Sequence, residues 1–239
     1  MMRLDKFLSH YAEMTRKEAK EAIKKGRITV DGLRAGSPEQ KVDGEQDICL
    51  DGKPLQAEMY LYYMMNKRAG VLSATKDTRD ETVLDDIAKE DRRGHALFPV
   101  GRLDKDTVGL LILTDDGELA HQLLSPRYHV EKTYYARYEG ELDPEAAARF
   151  LEGIDIGEPQ KTKPAVLEVL PDRQVFITIS EGKYHQVKRM MARVGGHVTY
   201  LKRVKMAGIP LDEDLPEGSY RPLTESEIMM LKQAVRKES

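Results

Sequence analysis

Four consecutive apolar residues, Leu110-Leu111-Ile112-Leu113, stand between the charged segment Gly101-Arg102-Leu103-Asp104-Lys105-Asp106 and the turn signal Asp115-Asp116-Gly117. A strand with one face in water alternates apolar and polar residues, so this run predicts a short strand buried on both faces. The segment before it must be a loop, and it carries a carboxylate and a guanidinium to the mouth of the buried strand, where chemistry usually sits. After the strand, the Asp-Asp-Gly turn feeds a helical stretch over residues 118–124, with acidic residues at its positive end.

The chain has 239 residues, enough for one sizeable core or two unequal ones. No window approaches the roughly 18 apolar residues of a membrane span, and the first residues lack the apolar core of a signal peptide, so a cytoplasmic location is expected. The single cysteine, Cys49, excludes an internal disulfide and any multi-cysteine zinc site. The net charge of -3 is uninformative, but its distribution is not. Residues 1–27 hold eight Lys and Arg against four acids, and residues 182–205 hold seven with no acid. Two basic surfaces on an otherwise acidic body suit local attraction to phosphate.

Along the chain, Leu4, Phe7, Leu8 and Tyr11 have helical spacing, and Thr15-Arg16-Lys17-Glu18 has the form of a capping box that opens a second helix ending at Gly26. Ala19, Ala22 and Ile23 share one face of that helix, and Arg16, Lys20 and Lys24 line another. Residues 27–33 read as strand, tight turn and return, residues 47–50 as a further strand, and residues 52–60 as a hinge. Residues 59–65, MYLYYMM, form an apolar strand whose Met and Tyr residues are core. A short helix is expected over residues 83–87, followed by a polar loop at residues 92–95. Residues 131–139 alternate as a strand, with Lys132, Tyr134, Ala136 and Tyr138 on one face and Thr133, Tyr135 and Arg137 on the other. Then come a helix over 143–151, a hairpin of strands 166–170 and 175–179, a helix opened by residues 181–185 and stopped by Gly195-Gly196, a strand over 197–206, and a helix begun by the capping box at Thr224.

The carboxylates Asp104, Asp106, Asp115 and Asp116 invite a calcium reading, but Val108 replaces an oxygen ligand and Asp115 stands where a bidentate Glu would close the loop. The six histidines form no HExxH set, and no phosphate loop, dinucleotide fingerprint or nucleophile elbow is present, so neither a metal nor a nucleotide cofactor is expected. What is left is one loop aspartate beside Arg102, a cation-rich helix and an aromatic strand. A buried Asp beside cations stays ionised and can act as a nucleophile. On spacing alone, Asp104 reads equally well as a turn cap paired with Arg102.

Residues 101–111, GRLDKDTVGLL, followed by TDDG at 114–117, resemble the signature of the pseudouridine synthases of the RsuA/RluB/RluE/RluF type; EKTY at 131–134 and EGKYHQVKRM at 181–190 are similar to that family's other two motifs. Arg3-Leu4-Asp5-Lys6-Phe7-Leu8, Thr15-Arg16 and residues 26–32, GRITVDG, resemble the S4 RNA-binding module. The resemblance implies an α+β protein: a small S4-like module over residues 1–55, a linker over 56–61, and a catalytic domain over 62–239 built on a mixed, mainly antiparallel sheet flanked by helices. It further implies Asp104 as nucleophile, Tyr134 beside the target uracil, and Lys188 as the cation paired with Asp104. Arg102 would fill the space of the extruded base or hold phosphate. RNA contacts fall on Lys183, His185, Gln186 and Arg189, and in the module on Arg3, Arg16, Lys20, Lys24 and Arg27, whose phosphate contacts position without reading much sequence.

Each implied role has a chemical reason. Isomerising uridine breaks the N-glycosidic bond, turns the bound uracil and rejoins it through C5. A carboxylate can hold the intermediate covalently or deprotonate the sugar to give a glycal, and the sequence does not choose. The nucleotide must leave its stack to react; a Tyr ring can then stack on it, and its hydroxyl can help remove the C5 proton. No redox change or group donor is involved, so no cofactor is expected. Many members of that family carry Arg at the position of Lys188, and Lys cannot make a planar two-pronged contact, which leaves Arg189 as a second candidate partner for Asp104. Residues 162–169, 184–188 and 220–224 look most like the branch acting on small-subunit ribosomal RNA. A large-subunit RNA substrate, or a non-catalytic ribosome-assembly factor, are the alternatives, and a monomer on a large RNA is expected.

Overall fold

The computed structural model describes residues 2–12, 14–42, 46–55 and 60–236, with His10 described by its backbone alone. The chain divides into two compact units, Met1–Met59 and Tyr60–Ser239. Most of the expected linker, residues 56–59, and the first residue of the expected 59–65 strand lie outside the described residues.

In the first unit, β1 (Met2–Arg3) leads into α1 (Leu4–Tyr11) and α2 (Arg16–Lys24), followed by β2 (Ile28–Val30), β3 (Leu33–Arg34), β4 (Lys41–Val42), β5 (Ile48–Leu50) and β6 (Lys53–Pro54). Thr15 and Glu18 exchange side-chain and backbone hydrogen bonds at the start of α2, so the capping box forms as expected. A four-stranded sheet in the order β3-β2-β5-β6 packs Ile28, Val30 and Ile48 against Phe7, Leu8, Ala19, Ala22 and Ile23 of the helices. The hinge expected from residue 52 starts instead as a hairpin: Asp51 and Gly52 have φ of 51° and 77°, the positive values that match the twist of paired strands, and β6 returns along β5.

The second unit contains β7 (Tyr62–Lys67), α3 (Lys89–Arg92), β8 (Phe98–Pro99), β9 (Val108–Thr114), α4 (Gly117–Leu124), β10 (Lys132–Glu139), α5 (Ala146–Glu152), β11 (Val166–Leu170), β12 (Gln174–Ile179), α6 (Gln186–Arg193), β13 (His197–Met206), β14 (Ile209–Pro210), β15 (Tyr220–Pro222) and α7 (Glu225–Ala234). The described strands form one mixed sheet in the order β11-β12-β10-β13-β9-β7-β15, with β8 added on β9 and β14 on β13. Only β9 and β13 run parallel; every other pairing in this sheet is antiparallel. No helix among the described residues is long and apolar enough to cross a membrane.

All seven residues of β9 are buried, and the two faces of the strand explain why. Leu111 and Leu113 enter one core with Tyr63, Met65 and Val187, while Leu110 and Ile112 enter a second core with Met64, Leu119, Leu123 and Leu231. Successive side chains point to opposite sides, so a strand between two cores has no position to give to water. In β10 the expected alternation appears: Lys132, Tyr134, Ala136 and Tyr138 are buried and the residues between them are not. The helix expected at residues 83–87 is absent. That segment is a series of turns in which Asp85 accepts hydrogen bonds from the Thr82 amide and hydroxyl, and the helix forms later, as the single turn α3. Local Asp and Thr bonds offer the backbone this alternative to helix.

Gly109 fixes the contact between the parallel strands. Its φ is +99°, and a Cβ there would lie 2.3 Å from the carbonyl oxygen of Arg203 on β13. Glycine alone satisfies both the backbone angle and the approach.

Candidate active site

The loop at residues 101–107 joins β8 to β9 and is gripped from below. The Lys67 ammonium, fully buried at the end of β7, donates to the carbonyls of Asp104 at 3.1 Å, Lys105 at 3.3 Å, Thr107 at 2.8 Å and Arg68 at 3.1 Å. Burial pulls the Lys67 pKa down to about 8, against the opposing pull of Asp106 and Asp104. The Ser73 hydroxyl and the backbone of Leu103 exchange hydrogen bonds at 3.0 Å in both directions, and the Gly70 amide donates to the Lys105 carbonyl at 2.7 Å. The backbone that carries Asp104 is thus held at several points by one neighbouring segment.

The Asp104 side chain makes contacts of its own. Its carboxylate lies 3.3 Å from Lys188 Nζ and 3.5 Å from His185 Nε2, and its side chain keeps 28% exposure. His185 precedes α6 as its N-cap in the left-handed region, φ 48° and ψ 34°, and Lys188 is the third residue of that helix. The start of the helix therefore brings two side chains to one carboxylate. Asp106 competes for the same cation: Lys188 Nζ is 2.7 and 2.9 Å from its two oxygens. This contact holds the Asp106 carboxyl below its usual range. Burial works against the Lys188 charge, but Asp106 and Asp104 outweigh it and hold the ammonium above its ordinary pKa.

A cavity of about 90 Å³ opens over Asp104, several times what one water needs, with Arg102, Leu103, Thr107, Tyr134, Ile179, Val187 and Lys188 among its walls. Tyr134 reaches it from β10, 8% exposed, opposite Ile177 on one side and Arg203 on the other. Arg102 is exposed at the mouth and, among the described residues, has no hydrogen-bond or ion-pair partner, so the Arg102–Asp104 pair that spacing alone allowed is not formed. Among the described residues no three His, Cys, Asp or Glu side chains gather as metal ligands. Asp115 and Asp116 serve structure: Asp115 accepts from the Leu61 amide and pairs with His95, while Asp116 caps α4 through the Leu119 amide and accepts from the Tyr62 hydroxyl.

The other residues singled out from the sequence divide clearly. Gln186 is buried, and its amide group closes the loop before α6, accepting from the Lys183 amide at 2.9 Å and donating to Glu181 at 3.0 Å. Lys183 donates to the Gln160 carbonyl at 3.0 Å. Arg189 binds Glu158 at 2.8 Å and the carbonyls of Tyr184 and Ile156, so it is not the partner of Asp104. In the first unit, Arg3 pairs with Asp5 and Glu39, Arg16 with Asp5, and Arg27 with Asp51. Lys20 and Lys24 instead line an open cavity together with Arg34. Sequence reasoning missed Lys67, Ser73 and Arg34. A charged residue at the end of an apolar strand was the available signal for Lys67.

Residues 61–193 match the RNA pseudouridylate synthase family, and residues 2–48 match the S4 domain. The ribosomal small subunit pseudouridine synthase A of Escherichia coli is 45% identical over 229 residues, covering 95% of this chain and 98% of that protein. An uncharacterized RNA pseudouridine synthase of Bacillus subtilis is 44% identical over 235 residues, covering 96% and 98%. A pseudouridylate synthase crystal structure superimposes with a TM-score of 0.68 at 40% identity, covering 97% of this chain and all of that one. With Asp104, Tyr134 and Lys188 all falling inside the matched segment and converging on one cavity, the chain belongs to the RNA pseudouridylate synthase family, as a pseudouridine synthase that carries an S4 domain.

Proposed function

We propose that this synthase isomerises one uridine of small-subunit ribosomal RNA, with Asp104 as the reacting carboxylate, in a nucleotide flipped out of its stack. The observation that carries the reading is the position of Asp104, 3.3 Å from Lys188 and at the cavity shared with Tyr134. The choice of RNA rests on the relatives named for small-subunit activity, which align along nearly the whole chain.

The reaction is an isomerisation. The bond between C1′ of the ribose and N1 of uracil breaks, a bond between C1′ and C5 forms, and the C5 proton is lost while N1 gains one. Atoms and charge balance with no external reagent. A carboxylate at C1′ or at the neighbouring sugar proton starts the sequence, and the Lys188 ammonium stands 3.3 Å from it as its nearest cation. The cavity walls keep the freed uracil beside C1′ while it turns, the positional advantage of a bound intermediate. Tyr134, on the cavity wall, stacks on the base and its hydroxyl assists loss of the C5 proton. Arg102, at the mouth and without a partner among the described residues, meets the phosphate backbone or the gap left in the stack. The module with Lys20, Lys24 and Arg34 adds phosphate contacts that place the RNA.

The test is carbodiimide mapping by reverse transcription of ribosomal RNA from a strain lacking the gene, complemented with wild type or Asp104→Asn. A stop in small-subunit RNA that wild type restores and Asp104→Asn does not is the expected result. A missing stop in large-subunit RNA would move the substrate, and restoration by Asp104→Asn would remove Asp104 from its role.

A further inference from the structure

Tyr184 stands outside the cavity wall and is 73% exposed. Singly exposed aromatics are common and need no explanation. This one is held in place. Its ring lies flat on His185, with centroids 3.8 Å apart and planes inclined by 19°. His185 is fixed in turn by its left-handed backbone at the start of α6 and by its approach to Asp104, 3.5 Å from Nε2 to Oδ1. The Tyr184 carbonyl accepts from Arg189 at 3.1 Å, and Arg189 is anchored on Glu158. One face of the tyrosine ring is covered by the imidazole, and the exposure falls to the rest.

The result is a two-ring stack at the edge of the Asp104 cavity, with an exposed aromatic face on its outer side. Moving a nucleotide out of a strand leaves its neighbours without a stacking partner, and a flat side chain beside the pocket restores one. Arg102, with no partner among the described residues, lines the same cavity and supplies a cation for the strand's phosphate.

We propose that the Tyr184–His185 stack is a base-stacking subsite, whose outer face takes an unpaired nucleobase adjacent in the RNA to the residue that enters the Asp104 cavity. This deepens the RNA-modifying reading and rests on it. Tyr184 is then a positioning residue: it holds the strand in register without touching the reacting atoms. Since every base has a π face, the subsite tolerates sequence and rewards an unpaired neighbour.

The chain contains no tryptophan, so Tyr184→Trp installs a single fluorescent reporter at the subsite. Titration with a short oligouridylate is expected to quench it in a saturable way, and an abasic ribose-phosphate oligomer of equal length and charge is expected to leave it nearly unchanged. No quench at millimolar oligouridylate, or an equal quench by the abasic oligomer, overturns the assignment. On the rRNA substrate, Tyr184→Ala is expected to raise KM roughly tenfold or more with a smaller fall in kcat, and Tyr184→Phe to stay near wild type. Wild-type KM in Tyr184→Ala, or a Phe variant as impaired as Ala, also overturns it. If wild type itself makes no pseudouridine, the enzymatic reading fails while the fluorescence titration still decides the subsite.

Discussion

Lys188 sits closer to Asp106 than to Asp104: its ammonium is 2.7 Å from an Asp106 oxygen and 3.3 Å from the Asp104 carboxylate. The two acids are unequal. Asp106 is 74% exposed and Asp104 only 28%, so water screens the first contact more than the second. The shorter contact is therefore the weaker dependency. Removing Asp106 leaves Lys188 with one partner, and removing Lys188 leaves Asp104 without its nearest cation. Asp106→Asn is expected to keep pseudouridine formation within about tenfold of wild type, and Lys188→Met to lower it by about 10²-fold or more, as loss of a positioned charge does. Tritium release from C5-labelled RNA under single-turnover conditions measures both. Equal losses in the two variants would make Asp106 as necessary as the cation.

Lys67 acts on the same loop from the protein interior. Four carbonyls converge on its ammonium, three of them from residues 104, 105 and 107. Lys67→Met keeps the apolar stem but leaves these carbonyls without their donor, a cost of about 1–3 kcal/mol for a buried unsatisfied group. The expected outcome is a lower melting temperature together with a loss of turnover larger than the loss of RNA affinity, because the damage falls on the backbone of Asp104. Calorimetry and filter binding separate the two effects. Lower stability with unchanged turnover at low temperature would mean that the clamp supports folding only.

How much of this was legible beforehand follows from range. Local signals held: the capping boxes at Thr15 and Thr224, the alternation of residues 132–139 and the all-apolar strand around Leu111 each formed as read. Asp104, Tyr134 and Lys188 were marked by motif resemblance, and the fold brings all three to one cavity. What the chain order hides is partnership across the sheet. Nothing near Arg189 in sequence announces Glu158, and nothing near Asp104 announces Lys67 or Ser73, because these contacts span about thirty residues or more. The expected strand at 59–65 ends two residues before Lys67, which is in fact the buried last residue of β7. Charge counts likewise gave the basic module its sign without saying which cations are already neutralised.

Glu227 ties the last helix to β15. Its carboxylate receives Arg221 at 2.8 and 2.9 Å and the Thr224 amide at 2.8 Å. The hydrogen bonds from Arg221 hold its pKa at about 2, below the ordinary 4.5. A carboxylate whose folded pKa is depressed adds stability that is complete above 4.5 and disappears as the pH falls toward about 2. Glu227→Gln preserves the neutral half of the capping box and removes the charge. It is expected to lower stability at pH 7 by about 1 kcal/mol, solvent screening part of the interaction, and the gap to wild type should close between pH 4.5 and 2. Urea unfolding across that range checks it; a gap independent of pH would assign the loss to packing.

The cations of the first unit make the final case. Arg3, Arg16 and Arg27 are engaged by Asp5, Glu39 and Asp51, whereas the ammonium groups of Lys20 and Lys24 have no hydrogen-bond or ion-pair partner among the described residues and share an open cavity with Arg34, which donates to the Lys24 carbonyl. A phosphate that binds an engaged arginine must first displace a carboxylate, which cancels most of the electrostatic gain. A phosphate at Lys20 or Lys24 displaces only counterions, and their release appears as salt dependence. Lys20→Ala and Lys24→Ala are each expected to weaken binding to ribosomal RNA and to lower the slope of log K against log salt by about 1. Arg27→Ala should leave that slope nearly unchanged and act through stability, since it frees Asp51 at the β5–β6 turn. Binding titrations over a series of potassium chloride concentrations distinguish the two classes. A slope that falls with Arg27→Ala and not with the lysine variants would put the phosphate path on the paired arginines instead.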